Sequence, residues 1–248
     1  MSGLKSITVF PGLDKEGRRE AYDKIVLRPQ EIYAVVGNTG SGKSRFISDI
    51  EQLAQGDTVT KRRVTADGGE RLRNGEIAYL GQSMRFVLDC TVAEFIVLHA
   101  RCYADEVGRD EVSRVLGAAN GIASEEITGA ARLGALSGGQ SRALMIAGIS
   151  VISHSSVVLI DEIENAGIDK VRALDLLISR DKLVLIVTHD PHTALLADRR
   201  IVVRNGAVAG VLETSAAEKA SFEKINEAYS LIAKMQQQLR NGESLCNV

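Results

Sequence analysis

The chain has little cysteine, no surplus of positive charge and no long apolar run, and each lack narrows what it can be. Its three cysteines, Cys90, Cys102 and Cys246, are odd in number and stand at no metal-ligand spacing. A disulfide framework or a zinc module is therefore not what organises the fold, and a reduced compartment suits the chain. Lys and Arg number 30 against 32 Asp and Glu, for a formal net charge of −2. Nucleic-acid partners usually need a basic face, so charge gives no direct signal for one. The basic triplet Lys61-Arg62-Arg63 reads as a solvated turn. The longest apolar runs, such as 157–160 and 183–187, fall far short of the about 20 residues that span a bilayer. Residues 1–10 lack an apolar core followed by a small-residue cleavage site, so no signal peptide is expected. The chain is thus expected to have no membrane span of its own, and any work at a membrane requires another chain to do the spanning. Internal repeats and low-complexity tracts are missing too.

What is present suits one α/β core with a helical insertion: 248 residues, 45% hydrophobic and 25% charged. Residues 7–10 and 24–27 read as short strands around a polar, turn-rich stretch at 12–20. Residues 32–36 form a compact apolar run ending at Gly37, and helical spacing follows over 44–54. Another short strand, 77–80, ends near Gln82. Residues 91–126 look mainly helical, with Val92, Phe95, Ile96 and Ala100 on one face and Thr91 and Glu94 spaced as a capping box. A glycine-rich turn at 136–140 leads into a helix at 141–150. Two buried-strand candidates, 157–160 and 183–187, flank a helix at 171–179. Strands at 201–203 and 207–212 flank Asn205-Gly206, a strong hairpin signal. From 216 to 240 the pattern becomes a long amphipathic helix, with Phe222, Ile225, Tyr229, Ile232 and Leu239 in a stripe that Gln236 interrupts. That stripe can pack on its own domain or meet a partner, and the sequence leaves both open.

Gly37-Asn38-Thr39-Gly40-Ser41-Gly42-Lys43-Ser44 fits the phosphate-loop pattern G-x-x-x-x-G-K-[ST] in full, between an apolar strand and a helix. Glycines let successive backbone N–H groups curl toward one anion, and the following helix adds its positive end. Lys43 can reach the β- and γ-phosphates, and the Ser44 hydroxyl can ligate Mg²⁺. Arg45 follows at once and is grouped with the nucleotide contacts. The second half of such a site is Val157-Val158-Leu159-Ile160-Asp161-Glu162, a buried strand with two carboxylates at its C-terminal end. That end of a parallel strand is where ligands sit. Asp161 is the candidate to hold Mg²⁺, and Glu162 the candidate to polarise the attacking water.

Leu136-Ser137-Gly138-Gly139-Gln140, with Arg142 two residues on, closely resembles the signature of ATP-binding-cassette (ABC) ATPases. It precedes the Asp161-Glu162 strand, as in that family. The resemblance covers roughly residues 6–212. It implies an α/β fold: a P-loop NTPase core with a mostly parallel sheet, a small antiparallel β subdomain, and a helical subdomain at about 83–135. The ATPase domain would be 1–215, with a C-terminal amphipathic helix and tail at 216–248. Gln82 looks like the glutamine that senses Mg²⁺ and meets the coupling partner. His189 looks like the histidine that contacts the γ-phosphate. Ser137, Gly138, Gly139 and Gln140 would serve the γ-phosphate held by the opposite subunit. The implied mechanism is ATP hydrolysis with Mg²⁺ in a head-to-tail dimer, a homodimer or an ABC heterodimer, with Lys43, Glu162 and His189 as catalytic residues.

Two stretches depart from the family pattern. No proline follows Glu162, and the loop to Asp169 is one residue longer; residues 166–169 are still read as the D-loop, with Asp169 facing the other subunit. The adenine-stacking aromatic is bracketed by Phe10 and Tyr22, of which Phe10 is preferred. The order Asp161-Glu162-Ile163-Glu164 is also similar to soluble ABC-like ATPases of the SMC kind, although no coiled-coil insertion is present. The favoured expectation is a cytoplasmic ATPase, peripheral on the cytoplasmic face of the membrane, that powers a separate transmembrane subunit. The alternative is a soluble ABC ATPase driving assembly, repair or cofactor maturation.

Overall fold

The computed structural model describes residues 4–66, 75–82, 86–104, 108, 110–163 and 167–245, without the side chains of 233, 236, 237 and 240. Cys246, Ser83 at the start of the expected helical subdomain, Glu164 and Asn165, and Ala166 at the start of the expected D-loop lie outside them. Cys90 and Cys102 are free thiols.

The described strands form two sheets. Strands β1 (Ile7–Phe10), β2 (Ile25–Leu27) and β4 (Arg63–Ala66) make a small antiparallel sheet in the order β2-β1-β4. The second sheet runs β5-β6-β7-β3-β8-β9, with β3 at Ile32–Val36, β5 at Ile77–Leu80, β6 at Val157–Asp161, β7 at Leu183–Val187, β8 at Arg199–Arg204 and β9 at Ala207–Glu213. Its first five strands are parallel; β9 returns antiparallel through the Asn205-Gly206 turn. This is the expected α/β layout.

The apolar runs of β3, β6 and β7 follow from burial on both faces, which removes the polar half of a strand's alternation. Within each strand, alternate residues enter opposite cores. Ala34, Val158, Ile160, Val184 and Ile186 face one side, with the helical subdomain. Tyr33, Val35, Val157, Leu159, Leu183 and Leu185 face the other, with the antiparallel sheet and Phe46, Ile47 and Ile50 of α1 (Lys43–Glu51).

The helical subdomain is built from α2 (Val92–Arg101), α3 (Glu111–Ile122) and α4 (Gly138–Val151). The Thr91–Glu94 capping box starts α2 as expected. The stretch 91–126 is mainly helical, as expected, in two helices: α2 stops at the Cys102 C-cap and α3 starts afresh after Asp110. The chain continues with α5 (Lys170–Ile178), α6 (Pro191–Leu196) and α7 (Ala216–Arg240), and α7 packs on α6. Among the described residues, no helix is long and apolar enough to cross a membrane.

The basic triplet is not a solvated turn, because Arg62 is fully buried. Its guanidinium donates to Glu20 Oε2 at 2.9 Å and Oε1 at 2.6 Å, to Asp49 Oδ2 at 3.0 Å and to the Gly206 carbonyl at 2.6 Å. Glu20 also accepts from the Gly12 and Val208 amides, at 2.8 and 2.6 Å. One cation thus ties the chain around the antiparallel sheet to α1 and to the β8–β9 turn. β4 itself, which begins just after this cation and pairs with β1, is not legible in the sequence because it is short and partly polar.

Burial pushes the Glu20 carboxyl up, but the Arg62 guanidinium and the two amides outweigh it and hold the group below its ordinary value of 4.5. A depressed carboxylate contributes stability above its unfolded value and loses it as pH falls through the folded one. Arg62→Met is expected to destabilise the chain by about 3–5 kcal/mol in urea unfolding at neutral pH, because it leaves two carboxylates buried without their cation. The acid loss of stability traced to Glu20 should shrink in the variant. A cost under about 1 kcal/mol would show that the cluster is not structural.

Candidate nucleotide and hydrolysis site

The loop 37–42 reverses the chain between β3 and α1 with no room for side chains at its tightest points. A Cβ on Gly37, whose φ is 154°, would lie 2.3 Å from the Val203 carbonyl oxygen and 2.7 Å from Ser41 Oγ. A Cβ on Gly42, φ 108°, would lie 2.9 Å from Gly206 Cα. The β8–β9 turn therefore backs the loop, and glycine is required where it touches. Lys43 folds over the loop, donating from Nζ to the carbonyls of Gly37 at 2.7 Å and Asn38 at 3.2 Å. Lys15, which sequence reasoning missed, reaches across to donate to the Gly40 carbonyl at 2.6 Å. Ser41 Oγ is buried and, among the described residues, has no hydrogen-bond partner. Asn38, Thr39, Gly40, Ser44 and Arg45 are exposed around this cradle.

A cavity of about 640 Å³ opens beside the loop, lined by Lys15, residues 36–41 and residues 202–205. Arg45 and Lys15 border an adjoining one. Phe10 lines neither: its ring lies under the Arg63 guanidinium, 4.4 Å from the centroid. Two ammonium groups, a glycine cradle, an orphaned hydroxyl and the amide end of a nine-residue helix suit a polyphosphate.

The same sheet edge carries the rest. β3, β7, β6 and β5 are neighbouring parallel strands, so Val35, Val187, Asp161 and Leu80 end side by side. Asp161 is the last residue of β6, and Tyr79 directs its hydroxyl at Asp161 Oδ2 from 3.4 Å. Glu162 follows in a left-handed conformation, φ 53°, uncommon for a residue with a side chain. Its amide donates to the Val187 carbonyl at 3.0 Å, fixing the turn. One carboxylate oxygen accepts from Gln82 Nε2, and the other faces His189 Nδ1 at 3.6 Å. Gln82, Glu162 and His189 thus form one row from three strand ends. Glu162 is half-buried while the His189 side chain is 64% exposed.

Arg142 of α4, 3% exposed, holds these ends together. Its guanidinium donates to the carbonyls of Glu162 at 2.7 Å and Gly81 at 2.5 Å, and reaches those of Asp161 and Gln82 at 3.3 Å each. The sequence signal was available: a lone charge among Ala143, Leu144, Ile146 and Ala147 must find several acceptors.

The remaining expected residues lie elsewhere. Ser137 is the N-cap of α4, in a capping box with Gln140, whose side chain also donates to the Glu126 carbonyl at 2.9 Å. Gly138 and Gly139 form the first turn after it. Asp169 is the N-cap of α5, accepting from the Arg172 amide at 3.1 Å, and its own amide donates to the Ile122 carbonyl at 2.8 Å. Ser137 and Gln140 bond to one another and to Glu126, and Asp169 to Arg172 and Ile122, none of them to the phosphate loop. Among the described residues no three His, Cys, Asp or Glu side chains gather to hold a metal. A cation here would need few protein ligands, which suits Mg²⁺ bound through phosphates, a hydroxyl and one carboxylate.

A phosphate loop after a central parallel strand, with paired acidic residues at the end of a nearby one, defines a P-loop nucleoside triphosphatase. The family model for ABC transporters matches residues 24–165. An uncharacterised ABC transporter ATP-binding protein of Methanocaldococcus jannaschii is 47% identical, over 98% of this chain and 95% of the relative. The macrolide export ATP-binding/permease protein MacB of Chromobacterium violaceum is 30% identical over 79% of this chain, a match spanning 32% of MacB. The fold is shared with a dimeric ATP-binding cassette solved in a post-hydrolysis state with ADP and Pi: TM-score 0.61, 22% identity, 87% of this chain and 100% of the other. The chain belongs to the ABC transporter family, as one of its ATP-binding ATPase subunits.

Arg142→Lys is expected to lower kcat for ATP at least about tenfold while changing ATP affinity little, since one ammonium cannot bridge four carbonyls from two strand ends. Steady-state turnover with a separate binding titration reads this. An unchanged kcat would remove Arg142 from the site's support.

Proposed function

We propose that residues 1–215 form a Mg-ATP-hydrolysing engine that works as a head-to-tail dimer and powers a separate transmembrane subunit from the cytoplasmic face. Residues 216–248 would be an appended helix and tail. The observation that carries this reading is the row Gln82–Glu162–His189 on the same sheet edge as the phosphate loop.

In this reading the amides of Gly37, Asn38, Thr39, Gly40, Ser41 and Gly42 surround the phosphates, and Lys43 and Arg45 add positive charge. The Ser44 hydroxyl, Asp161 and Gln82 would hold Mg²⁺, which supplies neutralisation of the charge on the phosphate oxygens. Glu162 takes a proton from the attacking water as its oxygen bonds to the γ-phosphorus, and the bond to the ADP oxygen breaks. His189 orients that water and the γ-phosphate from the far side of the Glu162 carboxylate. Ser137, Gly138, Gly139 and Asp169 have no bonds to their own phosphate loop, which supports their serving the partner copy's nucleotide. Gln140 contributes by holding Ser137 in its capping box. Phe10 can meet the adenine only if Arg63 leaves its face, and Lys15 is the better placed of the two to contact the nucleotide.

The transmembrane partner is inferred from the relatives. MacB is named as a macrolide export ATP-binding/permease protein, and this chain matches about a third of it. Among the described residues here no helix has the length and apolarity to cross a bilayer.

Lys43→Ala should abolish turnover. Glu162→Gln should keep ATP binding, slow hydrolysis by two orders of magnitude or more, on the scale of about 10²–10⁴ for a lost general base, and accumulate an ATP-bound dimer in sedimentation. A Glu162→Gln protein that stays monomeric at saturating Mg-ATP would contradict the dimer. Tagged Glu162→Gln protein drawn from detergent-solubilised native membranes should bring a multi-span protein with it. Only soluble partners would favour the non-transporter ATPase.

A further inference from the structure

The C-terminal helix reaches the hydrolysis site through one buried carboxylate. Phe222, Asn226 and Tyr229 recur every three or four residues, so they share one face of α7. That face covers the segment just after His189. The His192 ring lies 4.9 Å from the Phe222 centroid and 4.7 Å from the Tyr229 centroid, with His192 Nε2 3.3 Å from Asn226 Oδ1. The Tyr229 hydroxyl donates to Asp190 Oδ1. Asp190 Oδ2 accepts from Lys170 Nζ at 2.9 Å and from Thr193 Oγ1 at 2.6 Å. Lys170 Nζ also sits 5.0 Å from the Tyr229 ring centroid.

Asp190 directly follows His189, and Lys170 directly follows Asp169. A carboxylate only 6% exposed therefore joins α7, the strand end that carries His189 and the first turn of the helix that Asp169 caps. Burial pushes the Asp190 carboxyl up, but the Thr193 and Tyr229 hydroxyls and the Lys170 ammonium outweigh it and hold the group well below the usual carboxylate range. It stays charged, and a charged buried acceptor keeps its donors in fixed places.

We propose that Tyr229 is a positioning residue for ATP hydrolysis: α7, docked through it, sets Asp190 and hence the orientation of His189 and the start of α5. This rests on the roles given above to His189 and Asp169. Turnover then depends on the docking of a helix that packs on α6 and is itself neither the phosphate loop nor one of the strand ends that carry the carboxylates, and anything that displaces α7 slows hydrolysis with nucleotide binding left intact.

The test is a mutant cycle on the full chain, with ATP turnover measured under single-turnover and steady-state conditions. Tyr229→Phe keeps the ring against His192 and removes one hydrogen bond to a charge. It is expected to lower kcat about fivefold, with KM for ATP within about twofold of the parent. In a His189→Ala background the same change should cost a smaller factor, because only the route through Lys170 and the start of α5 is left. Phe222→Ala, which loosens α7 by packing alone, should reproduce the loss in kcat. The proposal is overturned if both variants turn over like the parent, or if Tyr229→Phe costs the same factor with and without His189. Lys43→Ala is measured alongside. If it hydrolyses ATP normally, the ATPase reading falls first and the inference with it; if it is inactive while Tyr229→Phe is unaffected, the inference alone falls.

Discussion

The site depends on a single buried guanidinium. Parallel strands end with carbonyls that the ladder no longer satisfies, and the ends of β5 and β6 also carry the chemistry. Arg142 supplies donors for the carbonyls of Gly81, Gln82, Asp161 and Glu162 at once. Without it those acceptors would be left short of donors beneath the helical subdomain, at a cost of about 1–3 kcal/mol each. With it, Gln82 and Glu162 are held in register although they come from segments some 80 residues apart. The left-handed turn at Glu162 is sustained the same way, by Arg142 on its carbonyl and Val187 on its amide. Strain of this kind persists only where surrounding contacts over-determine it.

A second buried cation does the corresponding work behind the phosphate loop. Arg62 fixes the antiparallel sheet against α1 and the β8–β9 turn, and that turn is what the loop glycines touch. The two arginines divide the molecule between them. One holds the loop proposed to bind phosphate, and the other holds the residues proposed to act on it. Arg62 belongs to a segment that looks like surface in a one-dimensional reading, whereas Arg142 stands as a lone charge in an apolar helix.

Much of the fold was legible for physical reasons. The fully apolar runs of β6 and β7 can only be strands buried on both faces, and Gly37 to Ser44 allows few conformations besides a phosphate loop. Those two facts place Asp161, Glu162 and His189 at strand ends, while the strand order comes only from the pairing. What was not legible depends on long-range contact. Lys61-Arg62-Arg63 has the composition of a turn, and only Glu20 and Asp49, far apart in sequence, make Arg62 a core residue. Ser-x-x-Gln at Ser137 and Gln140 is also the spacing of a capping box, and their side chains form one within the chain. Position alone favours Phe10 as the adenine contact, and the pairing of β1 with β4 gives its face to Arg63.

The central claim is that each hydrolysis site is completed by a second copy of the chain. The direct measurement mixes two variants that are each inactive alone, Lys43→Ala and Ser137→Arg, and follows ATP turnover against mixing ratio. A mixed dimer contains one site with an intact phosphate loop facing an intact Ser137 turn, so turnover should reappear and be greatest near equal amounts. If Ser137→Arg alone hydrolyses ATP at the parent rate, or the mixture stays as silent as its components, the shared site is wrong.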